Sequence, residues 1–276
     1  MIGLVTDSSS QLPTELARRF AVEVVPLTVY VDGVAYSEGE DLDADRFWAC
    51  FEGRTPEVAT SQPSPGRFAA AYEAVAARGA QEILSIHIGS SLSGTVNAAR
   101  VAAASAPVPV HVLDTGTASF AVACCVWEAA DALGGGASVE EAVSVAGGVA
   151  SKVGNVFVVG ALDLARAGGR LAGGTDGSGG DGMAVLTLAG GGMQVVQRAG
   201  DLEEAAAAMA ARVRGGGTRL RVGVGFADLG AFPLAEALES QLVGAPEVRE
   251  LVRYRVGPSV GAHTGPGTVG AVFYST

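Results

Sequence analysis

The chain has 276 residues, a formal net charge of −11, 49% hydrophobic residues and only 17% charged ones. This is the composition of a folded chain, long enough for one large domain or two ordinary ones, and it excludes a disordered polymer. The acidic balance provides no general basic field, which argues against nucleic-acid binding and against anything beyond transient contact with an anionic membrane.

The chain opens on Ile2-Gly3-Leu4-Val5, a short buried strand, in place of a basic, apolar, cleavable leader. No apolar run reaches the roughly 18–20 residues that span a bilayer, so the cytoplasm is the expected compartment. Three cysteines, Cys50, Cys124 and Cys125, give no disulfide framework, and the last two sit in an apolar helical run where inert thiols are expected. The polar turn Thr6-Asp7-Ser8-Ser9-Ser10 follows the first strand, and Leu12-Pro13-Thr14 opens a helix. Residues 22–31 read as one extended run ending at the turn Asp32-Gly33. A helix is expected over 47–51, an irregular loop at Thr60-Ser61-Gln62-Pro63-Ser64-Pro65, and a helix over 68–77.

Glu82-Ile83-Leu84-Ser85-Ile86-His87-Ile88 reads as a strand running into Gly89-Ser90-Ser91-Leu92-Ser93-Gly94-Thr95 and a helix over 96–104. A strand over 108–113 and helices over 118–133 and 139–149 complete this half. Strand, polar loop and helix recur often enough to predict a parallel α/β domain over residues 1–154. In such sheets ligands sit beyond the carboxyl ends of strands, where the loops at 6–10 and 89–95 fall.

From residue 155 the pattern changes. A strand at 156–159, a short helix at 162–167 closed by Gly168-Gly169-Arg170, and a glycine-rich loop at 172–182 precede a hairpin over 183–188 and 193–198. A helix over 202–213, strands at 220–226 and 248–254 around a helix at 231–241, and a last strand at 269–274 follow. Residues 155–276 are therefore read as a mixed α/β domain, and the ligand site is expected between the two domains.

The stretch Pro258-Ser259-Val260-Gly261-Ala262-His263-Thr264-Gly265-Pro266-Gly267 holds one of three histidines, among small residues. It reads as a shaped loop that leaves an imidazole reachable. Ser90 to Thr95 joins a strand to a helix N-terminus, where free N–H groups and hydroxyls favour a carboxylate or phosphate. Ordinary capping by Ser93 or Thr95 is the simpler local reading of the same residues. A hydrolase using Ser93, His263 and Asp7 or Asp114 is the rival, but no Gly-x-Ser-x-Gly elbow surrounds Ser93. His87, His111 and His263 lie far apart with no ligand spacing, so neither a metal nor a cofactor is expected, and His87 and His111 are read as structural.

Taken in order, Val5-Thr6-Asp7-Ser8-Ser9-Ser10-Gln11-Leu12-Pro13, Val25-Pro26-Leu27, Thr60-Ser61-Gln62-Pro63-Ser64, Ser90-Ser91-Leu92-Ser93-Gly94-Thr95, Gly168-Gly169-Arg170 and Gly261-Ala262-His263-Thr264-Gly265-Pro266-Gly267 resemble the DegV family pattern over essentially the whole chain. The resemblance implies a long-chain fatty acid as ligand, and a non-catalytic role presenting its carboxylate to a fatty acid kinase subunit that makes acyl phosphate. By motif, Thr60 or Ser61, Ser93 with the Gly94 backbone, and His263 with Thr264 would hold the carboxylate. Arg170 and Arg198 resemble family arginines near the site mouth, where they would meet phosphate or the kinase. The chain departs from the family at Asp114-Thr115-Gly116-Thr117 and in its glycine loop 172–182, which loosens the alignment of Arg198.

Overall fold

The computed structural model describes residues 1–160, 182–189 and 192–276. It divides into two compact units, one of Met1–Leu42 with Glu57–Lys152, the other of Asp43–Pro56 with Val153–Thr276. No helix among the described residues is long and apolar enough to cross a membrane.

In the first unit, β1 (Ile2–Asp7), β2 (Glu23–Val25), β6 (Glu82–His87) and β7 (Val110–Asp114) form a four-stranded parallel sheet in the order β2-β1-β6-β7. The strands are near-continuous apolar runs because helices cover both faces. On one face Val5 and Ile83 pack against Phe68, Tyr72 and Val75 of α3 (Pro65–Ala77) and Ala98 and Ala99 of α4 (Thr95–Ala103). On the other lie α5 (Phe120–Gly134), which contacts β1 and β6, and α6 (Val139–Ala150), started by a Ser138/Glu141 capping box. The run expected over 22–31 divides at Pro26-Leu27. Its first part joins the parallel sheet, and β3 (Thr28–Val31) joins a separate antiparallel sheet in the order β4-β3-β5, with β4 (Val34–Ser37) and β5 (Val58–Ser61). Asp32 and Gly33 make that hairpin turn with φ of 49° and 79°, both left-handed, as a tight two-residue hairpin requires.

The second unit holds a six-stranded mixed sheet in the order β10-β9-β8-β13-β11-β12. Its strands are β8 (Gly154–Val158), β9 (Met183–Ala189), β10 (Gly192–Ala199), β11 (Leu220–Phe226), β12 (Val248–Arg255) and β13 (Val269–Ser275). Only the β11–β12 pair is parallel among the described pairings. Its core packs Val156, Val222, Val224, Ala271 and Phe273 against Met209 and Val213 of α7 (Leu202–Arg214) and Leu234, Leu238 and Leu242 of α8 (Phe232–Leu242). The helix expected at 162–167 and nearly all of the loop 172–182 lie outside the described residues.

The segment Asp43–Pro56, early in the sequence, belongs to this second unit. Its helix α2 (Ala44–Ala49) presents Phe47 and Trp48, both buried. Trp48 Nε1–H donates to the Val256 carbonyl at 2.8 Å, and the Arg255 guanidinium meets Asp45 at 2.7 Å.

Candidate functional site

Two polar stretches meet in the first unit. Ser93 and Gly94 lead into α4, where Thr95 is buried, its hydroxyl 2.8 Å from Ser93 Oγ. Gly94 occupies the N-cap position with φ −75° and has no side chain to cap with, while Ser93 Oγ accepts the Thr95 N–H at 3.3 Å, a local bond of the expected serine-capping kind. The Gly94 backbone backs directly onto the Gln62 carboxamide, since a Cβ on Gly94 would run into it. Thr60 and Ser61, half-buried at the end of β5, immediately precede Gln62. The sequence-expected residues Thr60, Ser61, Ser93 and Gly94 thus stand on two adjoining chain segments.

The loops after β6 and β7 are laced beneath them. Gly89 N–H donates to the Thr117 carbonyl at 2.8 Å, and a Cβ on Gly89 would press within 2.7 Å of the Gly116 backbone. Asp114 Oδ1 accepts the Ser90 and Gly116 amides at 3.1 and 3.0 Å. Burial opposes ionisation of Asp114, but bonds from Ser90 and Gly116 outweigh it and hold the carboxyl below its ordinary value.

In the second unit the histidine stretch differs from the expected loop. Pro258–Thr264 is a short helix, α9, with proline in its first turn and Gly257 at the N-cap. Gly265, with φ 76°, closes it through a 2.8 Å bond from its N–H to the Gly261 carbonyl. Within it Gly261 lets the backbone approach the rings of Phe47 and Trp48, whose atoms lie 2.6–2.8 Å from the place of a Cβ. His263 and Thr264 sit in its last turn, both half-buried, and the Thr264 hydroxyl donates to the Val260 carbonyl at 3.3 Å. Beyond it Gly265-Pro266-Gly267 turns with positive φ at both glycines, and Pro266 and Gly267 pack on Gly160 at the end of β8.

Gly267 also lines a cavity of about 350 Å³ within the second unit, together with Val158, Val159, Met183, Leu202 and Leu234. That volume lies at the lower end of the range for small-molecule sites. Arg198 is half-buried on β10, in register with Ala184, another cavity-lining residue. Arg170 lies outside the described residues.

A model of the DegV family matches residues 1–276. The chain belongs to the DegV family. A DegV domain-containing protein of Streptomyces coelicolor is 37% identical over 280 residues, covering 99% of this chain and 98% of its own. Among solved structures, a DegV family protein from Thermus thermophilus, described as binding fatty acid, superposes with a TM-score of 0.88 at 32% identity, covering 100% of this chain and 99% of its own. DegV of Bacillus subtilis, described as a fatty acid binding protein, gives a TM-score of 0.85 at 24% identity over 100% of this chain and 99% of its own. At that identity the second likeness carries the DegV fold alone.

One constellation was missed in the sequence. His87, fully buried, lies with Nδ1 2.9 Å from Asp7 Oδ2 and Nε2 2.6 Å from Ser85 Oγ. The sequence held two clues, polar residues at alternate positions of an otherwise apolar strand and an aspartate closing the neighbouring one. The register Thr6↔Ile86 then sets Asp7 beside His87. Both aspartates that a Ser93–His263 hydrolase would recruit are engaged within the first unit, Asp7 with His87 and Asp114 with the Ser90 and Gly116 amides. Among the described residues, no group of three or more His, Cys, Asp or Glu is placed to hold a metal ion.

Proposed function

We propose that this chain binds a long-chain fatty acid and presents its carboxylate to a separate kinase, which forms acyl phosphate. The observation that carries the binding is the end-to-end likeness, at 32% identity, to the Thermus thermophilus protein described as binding fatty acid. The chemistry of these residues agrees with it. Thr60, Ser61 and Ser93 offer hydroxyl donors beside the half-buried Gly94 backbone, and such donors suit a carboxylate without burying an unpaired cation. His263 and Thr264 are read as the donors from α9. The turn that follows α9 borders the apolar cavity, which we assign to the acyl tail.

A tail of roughly 16 carbons contributes on the order of 12 kcal/mol of gross transfer energy, from which association and ordering take a substantial part. In this reading the chain itself breaks no bond. Arg198, and Arg170 outside the described residues, are read as contacts for phosphate or the kinase.

His263→Ala tests the carboxylate assignment. It is expected to weaken the titrated affinity for a 16-carbon acid about tenfold or more with the fold intact. Unchanged affinity would remove His263 from the site. The kinase step is tested by supplying a fatty acid kinase and ATP and trapping acyl phosphate with hydroxylamine. The reading expects hydroxamate only when this chain is present. Equal hydroxamate without it would end that part of the reading.

A further inference from the structure

The fatty-acid reading gives no task to the polar chain buried under the first unit's loops. Tyr72, Ser85, His87 and Asp7 are all fully buried. Tyr72 Oη lies 3.0 Å from Ser85 Oγ, which lies 2.6 Å from His87 Nε2. His87 Nδ1 in turn reaches Asp7 at 2.9 Å. The order of atoms is that of a Ser-His-Asp triad. Yet Ser85 is covered by a tyrosine from α3 and no surface reaches its oxygen, so the chain cannot meet a substrate.

What it does reach is backbone. Asp7 Oδ2 accepts the Ile88 N–H at 3.3 Å as well as His87, and Oδ1 accepts the Ser9 N–H at 3.1 Å as well as the Ser9 hydroxyl. One buried carboxylate therefore fixes the turn Ser8–Ser10 after β1 and the start of the loop after β6 that leads to Ser93 and Gly94. A buried carboxylate is tolerated only while its donors are complete, so loss of one unsettles the others. Phe68 stands edge-on to the His87 ring at a 5.0 Å centroid distance, which fixes the plane in which Nδ1–H points at Asp7.

We propose that Asp7 and His87 are positioning residues for the acid headgroup, the His87–Asp7 bond holding the loop that carries Ser93 and Gly94 in its binding geometry. This rests on the fatty-acid reading above. Ser85 and Tyr72 then serve only to orient the imidazole from its far side.

Paired substitutions separate this from simple core filling. In His87→Asn the carboxamide nitrogen stands near the place of Nδ1 and can still donate to Asp7. In His87→Gln it stands near the place of Nε2, and the Asp7 bond is lost. Two quantities are measured in each variant: the affinity for a 16-carbon acid, and amide hydrogen exchange at Ser9 and Ile88 in the lipid-free protein. We expect His87→Asn to stay within about threefold of the parent, and His87→Gln to bind about 10- to 100-fold more weakly with faster exchange at both amides. Ser85→Ala is expected to behave like His87→Asn.

Equal affinity in His87→Gln and the parent would overturn the inference, as would equal losses in both histidine variants. If His87→Gln fails to fold, Asp7→Asn, of the same size, takes its place with the same expectation. If the parent binds no fatty acid, the fatty-acid reading falls and exchange alone decides. Undisturbed protection of Ser9 and Ile88 in His87→Gln would then refute the positioning role.

Discussion

Replacing Gly261 with alanine tests how the segment Asp43–Pro56 shapes the helix that carries His263. The added Cβ would stand 2.6 and 2.7 Å from Cζ2 and Cη2 of Trp48 and 2.8 Å from Cε1 of Phe47. Neither ring has room to yield. Phe47 is fully buried, and Trp48 is tethered through Nε1 to the Val256 carbonyl at 2.8 Å. Overpacking of this kind costs about 1–3 kcal/mol, and two rigid rings place it in the upper half of that range. Alanine in place of glycine inside a helix returns about 1 kcal/mol. The net expectation is a loss of about 1–2 kcal/mol, read by urea unfolding followed in parallel by tryptophan fluorescence and far-UV circular dichroism. In a Trp48→Leu background the same substitution should cost less, because the two nearer contacts are gone and the one with Phe47 Cε1 remains. A Gly261→Ala protein as stable as the parent would refute the close-approach argument.

Gly94→Ala should leave stability within about 0.5 kcal/mol, since the residue's φ of −75° suits alanine and the exposed Gln62 can swing aside. Its acid affinity should nonetheless fall about tenfold, and unchanged affinity would remove the Gly94 backbone from the site. Burial raises the Tyr72 phenol above its ordinary value of 10.0 to about 12, so its contribution is whole below pH 10 and fades as pH climbs through 12. Two units correspond to about 3 kcal/mol, and Tyr72→Phe should flatten the fall in unfolding free energy between those pH values. An equally steep fall would point to another group, and the buried Cys125 thiol, likewise raised from 9.0 to about 12, is the first to examine. Arg253→Met removes the guanidinium whose Nε donates to Glu239 Oε1 at 2.7 Å, leaving a carboxylate only 11% exposed. It should cost about 1–2 kcal/mol by thermal unfolding, with acid binding unaffected.

Much of the fold is readable because its strands are largely apolar stretches followed by polar turns, as at Ile2–Asp7 and Glu82–His87. The helix Pro258–Thr264 is not, because glycine has two meanings. At Gly261 it marks close approach of two aromatic rings, and local propensity alone reads it as looseness. The membership of Asp43–Pro56 in the second unit depends on contacts such as Trp48 with Val256, which no local pattern announces. The hydroxyl residues read as carboxylate donors follow strands in the sequence, whereas the contact of Gln62 with Gly94 is not given by spacing. Ser85 and His87 were within reach of the alternation argument. Their partner Asp7 needed the strand register as well.

Whether this protein holds a fatty acid is read without any assay of function by mass spectrometry of lipid extracted from the denatured, freshly purified protein. A long-chain fatty acid approaching one per chain is expected in the parent, depleted in His263→Ala. Repeated extracts without an acyl chain, from a protein that also fails to take up added fatty acid, would contradict it.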